Sequence, residues 1–157
     1  MWSLIGEYVF AEATAQITSW YAKGYRPGRV AINLSTLELQ QSDFVEKINT
    51  KMNAVGCRPE WIELEITEGY AMKHPETAIN MLNEIKSLGI NLSIDDFGTG
   101  YSSLSYLQRL PVHKLKIDQS FLTQVPGNSH NEAIIESIIS LPDTMGFNVI
   151  AEGVQKE

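Results

Sequence analysis

The stretch Leu92–Tyr101, Leu-Ser-Ile-Asp-Asp-Phe-Gly-Thr-Gly-Tyr, puts two adjacent carboxylates, Asp95 and Asp96, directly after an apolar run. Adjacent acids at the end of a buried strand repel each other and lose hydration, so they call for positive charge nearby. One or two divalent cations would meet that need. A solvated loop in which the aspartates cap the next helix would meet it as well. Gly98 and Gly100 follow at once, and Ser102 and Ser103 open a helical segment. This glycine pair is too short for a nucleotide-binding Gly-x-Gly-x-x-Gly or a Walker loop. Its glycines fit hinge or close-approach positions, so the loop beside the acids could open and close over a substrate.

The same kind of residue recurs at other apolar runs. Asn33 ends one, Glu65 and Glu68 lie in and after a second, Lys116 and Asp118 lie in and after a third, and Glu152 ends the last. Singly, each has an ordinary structural reading. Asn33 would bond backbone at a strand end, Glu65 would pair with a lysine such as Lys116, and Glu68 would cap a loop. Lys116, between Leu115 and Ile117, is either an ion-pair partner or a charge-stabilising catalytic lysine. As a set they offer acids, one amide and one lysine. Oxygen donors of this kind suit Mg²⁺, Mn²⁺ or Ca²⁺ rather than zinc. His74, His113 and His130 show no metal-ligand spacing, and Cys57 is the only cysteine, which excludes an intramolecular disulfide and a thiolate cluster.

Periodicity predicts the elements that would carry these residues. A helix spans about 3–23 with an apolar stripe of Ile5, Val9, Ala13, Ile17 and Trp20, and Arg29–Ser35 is a buried strand. A helix follows on Phe44, Val45, Ile48, Met52 and Val55, then a strand over Trp61–Glu68 with Ile62, Leu64 and Ile66 on one face. Pro75 opens a helix closed by Gly89; Asn91–Asp96 is a strand, and Leu104 and Leu107 mark a short helix. His113–Asp118 is a strand, Asn131 to about Met145 a helix ended or bent at Pro142, and Phe147–Gly153 a last strand. Five strands with helices between them call for parallel pairing through right-handed crossovers. Polar residues at the C-terminal ends of successive strands converge in a barrel and not in an open sheet, so a TIM-like (β/α) barrel is the expected fold.

Composition is that of a globular domain: 157 residues, 43% hydrophobic and 20% charged. A net charge of −7 argues against a nucleic-acid polymer as partner. No basic leader with a long apolar segment is present and no run approaches a membrane span, so no membrane contact and a cytoplasmic location are expected.

Five motifs stand in order: Ile32-Asn33-Leu34-Ser35, Glu65-Ile66-Thr67-Glu68, Asp95-Asp96-Phe97-Gly98-Thr99-Gly100-Tyr101-Ser102, Lys116-Ile117-Asp118 and Ala151-Glu152-Gly153-Val154. Together they resemble the EAL domains, bacterial phosphodiesterases that cleave cyclic di-GMP to linear pGpG. The resemblance covers nearly the whole chain. It implies two Mg²⁺ or Mn²⁺ ions at the strand ends, with Asn33, Glu65 and Asp95 as ligands and Asp96 on the second metal or its water. It further implies that Lys116 stands near the scissile phosphate and that Glu152 holds that lysine or the second metal's water shell. Glu68 would anchor the loop Phe97, Gly98, Thr99, Gly100, Tyr101 and Ser102.

The departures also carry expectations. The family's Glu-Ala-Leu glutamate, a metal ligand on a strand before the first helix, is not among these residues, nor is the family's later Gln-Gly motif. Gly69 stands where a serine is usual and His113 where an aspartate is usual. The chain therefore reads as a truncated EAL domain over 1–157, an incomplete barrel of about five strands. It is expected to have weak or no activity alone and to form a homodimer or higher oligomer that covers the exposed sheet edges. A non-catalytic module that binds cyclic di-GMP or a protein is the alternative. An enolase-type lyase also sets acids and lysines on successive strands, but with the lysines first, the reverse of the order here.

Overall fold

The computed structural model of the chain describes residues 4–73, 75–99, 104–122, 125–141 and 146–154. Gly100, Tyr101, Ser102 and Ser103 lie outside the described residues, as do His74 and Pro142.

Five strands, β1 (Val30–Asn33), β2 (Ile62–Thr67), β3 (Asn91–Phe97), β4 (Lys114–Ile117) and β5 (Asn148–Ala151), form one sheet in the order β1-β2-β3-β4-β5. Every pair is parallel. An open doubly wound sheet reverses its strand order at a switch point, whereas a barrel wall advances strand by strand. The sequential order is that of a barrel wall. Right-handed crossovers that always advance the same way put their helices on the same side of the sheet. The main crossover helices are α3 (Phe44–Val55) before β2, α5 (Pro75–Ser87) before β3 and α7 (Ser129–Ile139) before β5, with α1 (Leu4–Ala22) ahead of β1.

Strand parity decides which side chains go where. Ile62, Leu64 and Ile66 are fully buried with Phe44, Ile48, Met52, Leu82 and Ile85 of the crossover helices, and they make the core between sheet and helices. Glu63 and Glu65, one residue out of step, face the other side and are nevertheless buried.

Helix α1 departs from the expected stripe. Ile5 is 77% exposed and Val9 45%, while Phe10 and Thr14 are buried beside Ile17, the stripe residue that does reach the core. The helix is apolar on most sides near its start, so periodicity did not choose the face; packing on α3 and β1 did. Burying Thr14 is tolerable because its hydroxyl donates to the Phe10 carbonyl at 2.8 Å. Two short helices were not anticipated, α2 (Thr36–Leu39) and α4 (Glu68–Lys73). The first is a capping box: the Ser35 hydroxyl accepts from the Glu38 N–H while the Glu38 carboxylate accepts from the Ser35 N–H at 2.7 Å. Helix α7 begins at Ser129, two residues before the expected Asn131, because Asn128 caps it by accepting from the His130 and Asn131 N–H groups.

The stretch with the two aspartates contains a bulge. Ile94 pairs with Leu115 and Phe97 with Ile117, so three residue steps on β3 match two on β4. Ile94 and Phe97 are both buried in the core. The extra residue lets Asp95 and Asp96 both avoid the core, which regular alternation would forbid. Asp96 makes the adjustment at φ +55°, a left-handed conformation that aspartate tolerates better than most residues.

Candidate functional site

The strand ends bring the expected residues to one face. Asn33 is in register with Glu65, and Thr67 with Asp95. At the centre stands Lys116 on β4. Its Nζ lies 2.8 Å from Glu65 Oε2, 3.4 Å from Asp95 Oδ1 and 2.6 Å from Glu152 Oε1. Side chains from four strands or strand ends thus meet at one ammonium group. Burial opposes the charge of Lys116, but hydrogen bonds to Glu152 and Glu65 and the charges of Glu65 and Asp95 outweigh it. They hold the lysine well above its ordinary pKa. Lys116 is therefore a permanent cation at neutral pH: a hydrogen-bond donor and charge stabiliser, not a base.

Asp96 lies at the edge of this cluster. Burial, followed by the charges of Asp95, Asp118 and Glu152 and a hydrogen bond with Asp118, pushes its carboxyl above the usual range. Asp118 goes the other way, held low chiefly by hydrogen bonds from Ser120, whose N–H donates to Oδ1 at 2.8 Å. The ionised form of Asp96 is thus disfavoured in the folded chain. Its proton is bound more tightly in the folded chain, so its ionisation costs stability above the folded-state pKa and costs nothing well below the ordinary value of 3.8. Asp96→Asn, which keeps the shape and tolerates the left-handed backbone, is accordingly expected to raise the thermal midpoint of the metal-free chain at pH 7. The gain should vanish near pH 3, and a pH series of melting curves in chelator checks both.

Glu68, completely buried at the start of α4, accepts the Gly98 N–H on Oε2 at 2.8 Å. Glu68 is the residue to which the resemblance assigns the anchoring of the loop. Thr99 closes the turn by donating from its hydroxyl to the Asp96 carbonyl at 2.8 Å. Phe97 is buried in the core. Of the loop Phe97–Ser102, only these first three residues are described.

One feature was not singled out from the sequence, and one residue that was, Asp118, gains a neighbour. A second pair, Lys114–Glu63 at 2.6 Å, lies one rung below Lys116–Glu65 on the same face. The spacing of two residues on each strand is the signal for it. Asp118, in the Lys-Ile-Asp motif but outside the expected ligand set, neighbours Asp96. The same face holds a cavity of about 820 Å³ running from Glu65, Lys116 and Glu152 to Tyr21 and Trp61, whose rings stack at 4.0 Å between centroids.

A divalent cation fits this donor set in kind. The available atoms are carboxylate oxygens and one amide oxygen, and the charges of Asp95, Asp118 and Glu152 disfavour the ionised form of Asp96 unless a counter-ion is present. Among the described residues no three Asp, Glu, His or Cys side chains already converge as a metal cage would. The point on which Glu65, Asp95 and Glu152 converge is the Lys116 ammonium, so a cation taking Glu65 and Asp95 must share them with, or take them from, the lysine.

A family model described as "EAL domain" matches residues 1–157. Among curated proteins, the chain is 37% identical over 153 residues to MucR of Pseudomonas aeruginosa, a bifunctional diguanylate cyclase/cyclic di-GMP phosphodiesterase, covering 98% of this chain and 22% of that protein. It is 35% identical over 151 residues to NbdA of the same organism, a cyclic di-GMP phosphodiesterase, covering 96% of this chain and 19% of that one. The chain thus spans about a fifth of the length of these relatives. A solved structure described as the PaMucR phosphodiesterase in complex with c-di-GMP superposes with a TM-score of 0.93 at 37% identity, covering 98% of this chain and 62% of that one. With the strand-end motifs, the sequential parallel sheet and the full-length match all in agreement, the chain belongs to the EAL-domain family.

Proposed function

We propose that this chain carries the lysine-centred part of a metal-dependent phosphodiesterase site that hydrolyses cyclic di-GMP to pGpG. The convergence of Glu65, Asp95 and Glu152 on Lys116 at the C-terminal ends of successive parallel strands carries the reading. Similarity to MucR and NbdA, named as cyclic di-GMP phosphodiesterases, supports the substrate.

Asn33, Glu65, Asp95 and Asp96 would hold Mg²⁺ or Mn²⁺, which supplies positive charge to a phosphodiester and makes water a stronger acid. Lys116, always protonated, donates to a phosphate oxygen and balances the charge that develops there. Glu152, at 2.6 Å, fixes the lysine's direction. Asp96, beside Asp95 and Asp118, would meet the second metal or orient its water at the reacting face. Glu68 keeps the turn after Asp96 in place.

Purified protein incubated with cyclic di-GMP and Mn²⁺ tests the proposal. The 157-residue chain is expected to form pGpG slowly, since no Glu-Ala-Leu glutamate is among its residues. Turnover should be lost in chelator and in Asp95→Asn. Metal-independent turnover would sink the reading. The second reading, a binding module without turnover, draws on Lys116 already filling the point where the carboxylates converge. Calorimetric binding of cyclic di-GMP with no pGpG formed would select it.

The same proposal includes self-association. Strands β1 and β5 have one neighbour each, and Ile5 and Val9 line a groove of about 520 Å³ beside Ala31 and Asn33 at the β1 edge. An exposed strand edge flanked by apolar side chains favours pairing with another chain. Light scattering is expected to give at least twice the 17.6 kDa mass of one chain, and a stable monomer would reject this part.

A further inference from the structure

The short 3₁₀ turn Gln119–Phe121, directly after β4, touches both sides of the site. A Cβ placed on Gly98 would lie 2.9 Å from Phe121 Cε2 and 3.2 Å from its Cζ. A Cβ placed on Gly153 would lie 3.0 Å from both Cβ and Oε1 of Gln119. Gly98 comes two residues after Asp96, and Gly153 one residue after Glu152. Both glycines have positive φ, +102° and +72°, and both let the turn come closer than any side chain would allow.

The backbone ties the same three pieces together. The Asp118 N–H points to the Phe97 carbonyl at 3.5 Å and the Glu152 N–H to the Ile117 carbonyl at 3.4 Å. Asp118 fixes the start of the turn by accepting the Ser120 N–H. On its far side the Gly98 N–H is held by Glu68, so the loop after Asp96 is gripped between a carboxylate and an aromatic ring. Ordinary packing explains Phe121, which rests against the core. It does not explain Gln119, which is exposed and yet abuts the second glycine.

We propose that the turn Gln119–Phe121 is a wedge that sets the separation between Asp96 and Glu152 across Lys116, with Phe121 and Gln119 as its positioning residues. For its ligand the inference rests on the metal-dependent reading of the site; the wedge itself does not. Removing the ring should let the Gly98 turn slide and Asp96 relax. That shift should pass through the turn to Glu152, although Phe121 touches neither carboxylate.

Hydrogen exchange on the full chain, followed by mass spectrometry, tests this. Phe121→Ala is expected to speed exchange about tenfold both at residues 96–99 and at residues 152–154. Phe121→Leu, which restores most of the volume, should return both towards wild type. Mn²⁺ affinity by calorimetry should fall about tenfold in Phe121→Ala, the scale typical of supporting groups around a metal. Ile85→Val, a core control in α5, should lower the melting point without changing either readout. Should Phe121→Ala not fold, Gln119→Gly at its exposed position must loosen the same two segments from the other side. Faster exchange confined to one segment, or Mn²⁺ affinity unchanged while both segments loosen, overturns the wedge. If wild type binds no Mn²⁺ but the exchange coupling appears, the wedge stands and the phosphodiesterase reading falls.

Discussion

Replacing Lys116 with methionine is expected to lower the stability of the metal-free chain by about 3 kcal/mol, since breaking a buried ion pair leaves uncompensated charge behind. Lys116 balances three carboxylates, and Glu65 and Asp95 beside it are largely out of water, with side chains 6% and 16% exposed. Methionine fills the space of the stem and removes the charge together with its N–H donors. Urea denaturation in chelator measures the loss. Added Mn²⁺ should recover part of it, because a bound cation takes over the balancing charge. Turnover, by contrast, should not recover, since no donor remains to meet the phosphate. Lys114→Met provides the comparison. It breaks the Glu63 pair one rung below, so stability should fall similarly while any cyclic di-GMP hydrolysis survives in larger part. A Lys116→Met chain as stable as wild type in chelator would show that the carboxylates do not need the lysine.

Glu68→Ala is expected to cost about 2 kcal/mol, the range for losing a hydrogen bond to a charged group. It should also lower turnover about 10²-fold, the scale of a small misplacement at a reacting centre. Glu68 is fully buried and holds the Gly98 N–H, two residues from Asp96, whose left-handed backbone depends on that turn staying closed. Glu68→Gln should fall between, since an amide oxygen still accepts the N–H but without the charge. Comparing melting curves with initial rates separates the two effects. If Glu68→Ala melts lower but turns over at the wild-type rate, the anchor is purely structural.

The sequence reached the barrel wall because its strands are short, apolar and spaced by helices, and because the polar residues stand at their C-terminal ends. Ile62, Leu64 and Ile66 against Glu63 and Glu65 is a period-two pattern that the sheet obeys. Elsewhere the pattern misled or said nothing. Helix α1 carries apolar residues on several sides, so its stripe ran through Ile5 and Val9 as well as Ile17, whereas the core takes Ile17 with Phe10. Ser35-Thr36-Leu37-Glu38 did announce α2 through its cap, a signal weaker than hydrophobic period and easily passed over. The β3 bulge was invisible, because alternation assumes an unbroken pleat and an extra residue shows only against its partner strand. The residue types did suggest the Lys116–Glu65 pair, but not that Asp95 and Glu152 meet the same ammonium. That depends on the curvature of the sheet.

The sequential order of the strands also has a consequence for synthesis. The Lys116–Glu65 pair spans 51 positions, and its two carboxylates from β2 and β3 both precede the lysine in the chain. With translation at about 5–20 residues per second, Asp95 leaves the ribosome roughly one to four seconds before Lys116 arrives to neutralise it. For that interval the nascent sheet has its acids without their cation. Until Lys116 arrives, the carboxylates of β2 and β3 are screened only by solvent ions and by basic side chains made earlier, so the native pairing at the site is among the last contacts of the sheet to form.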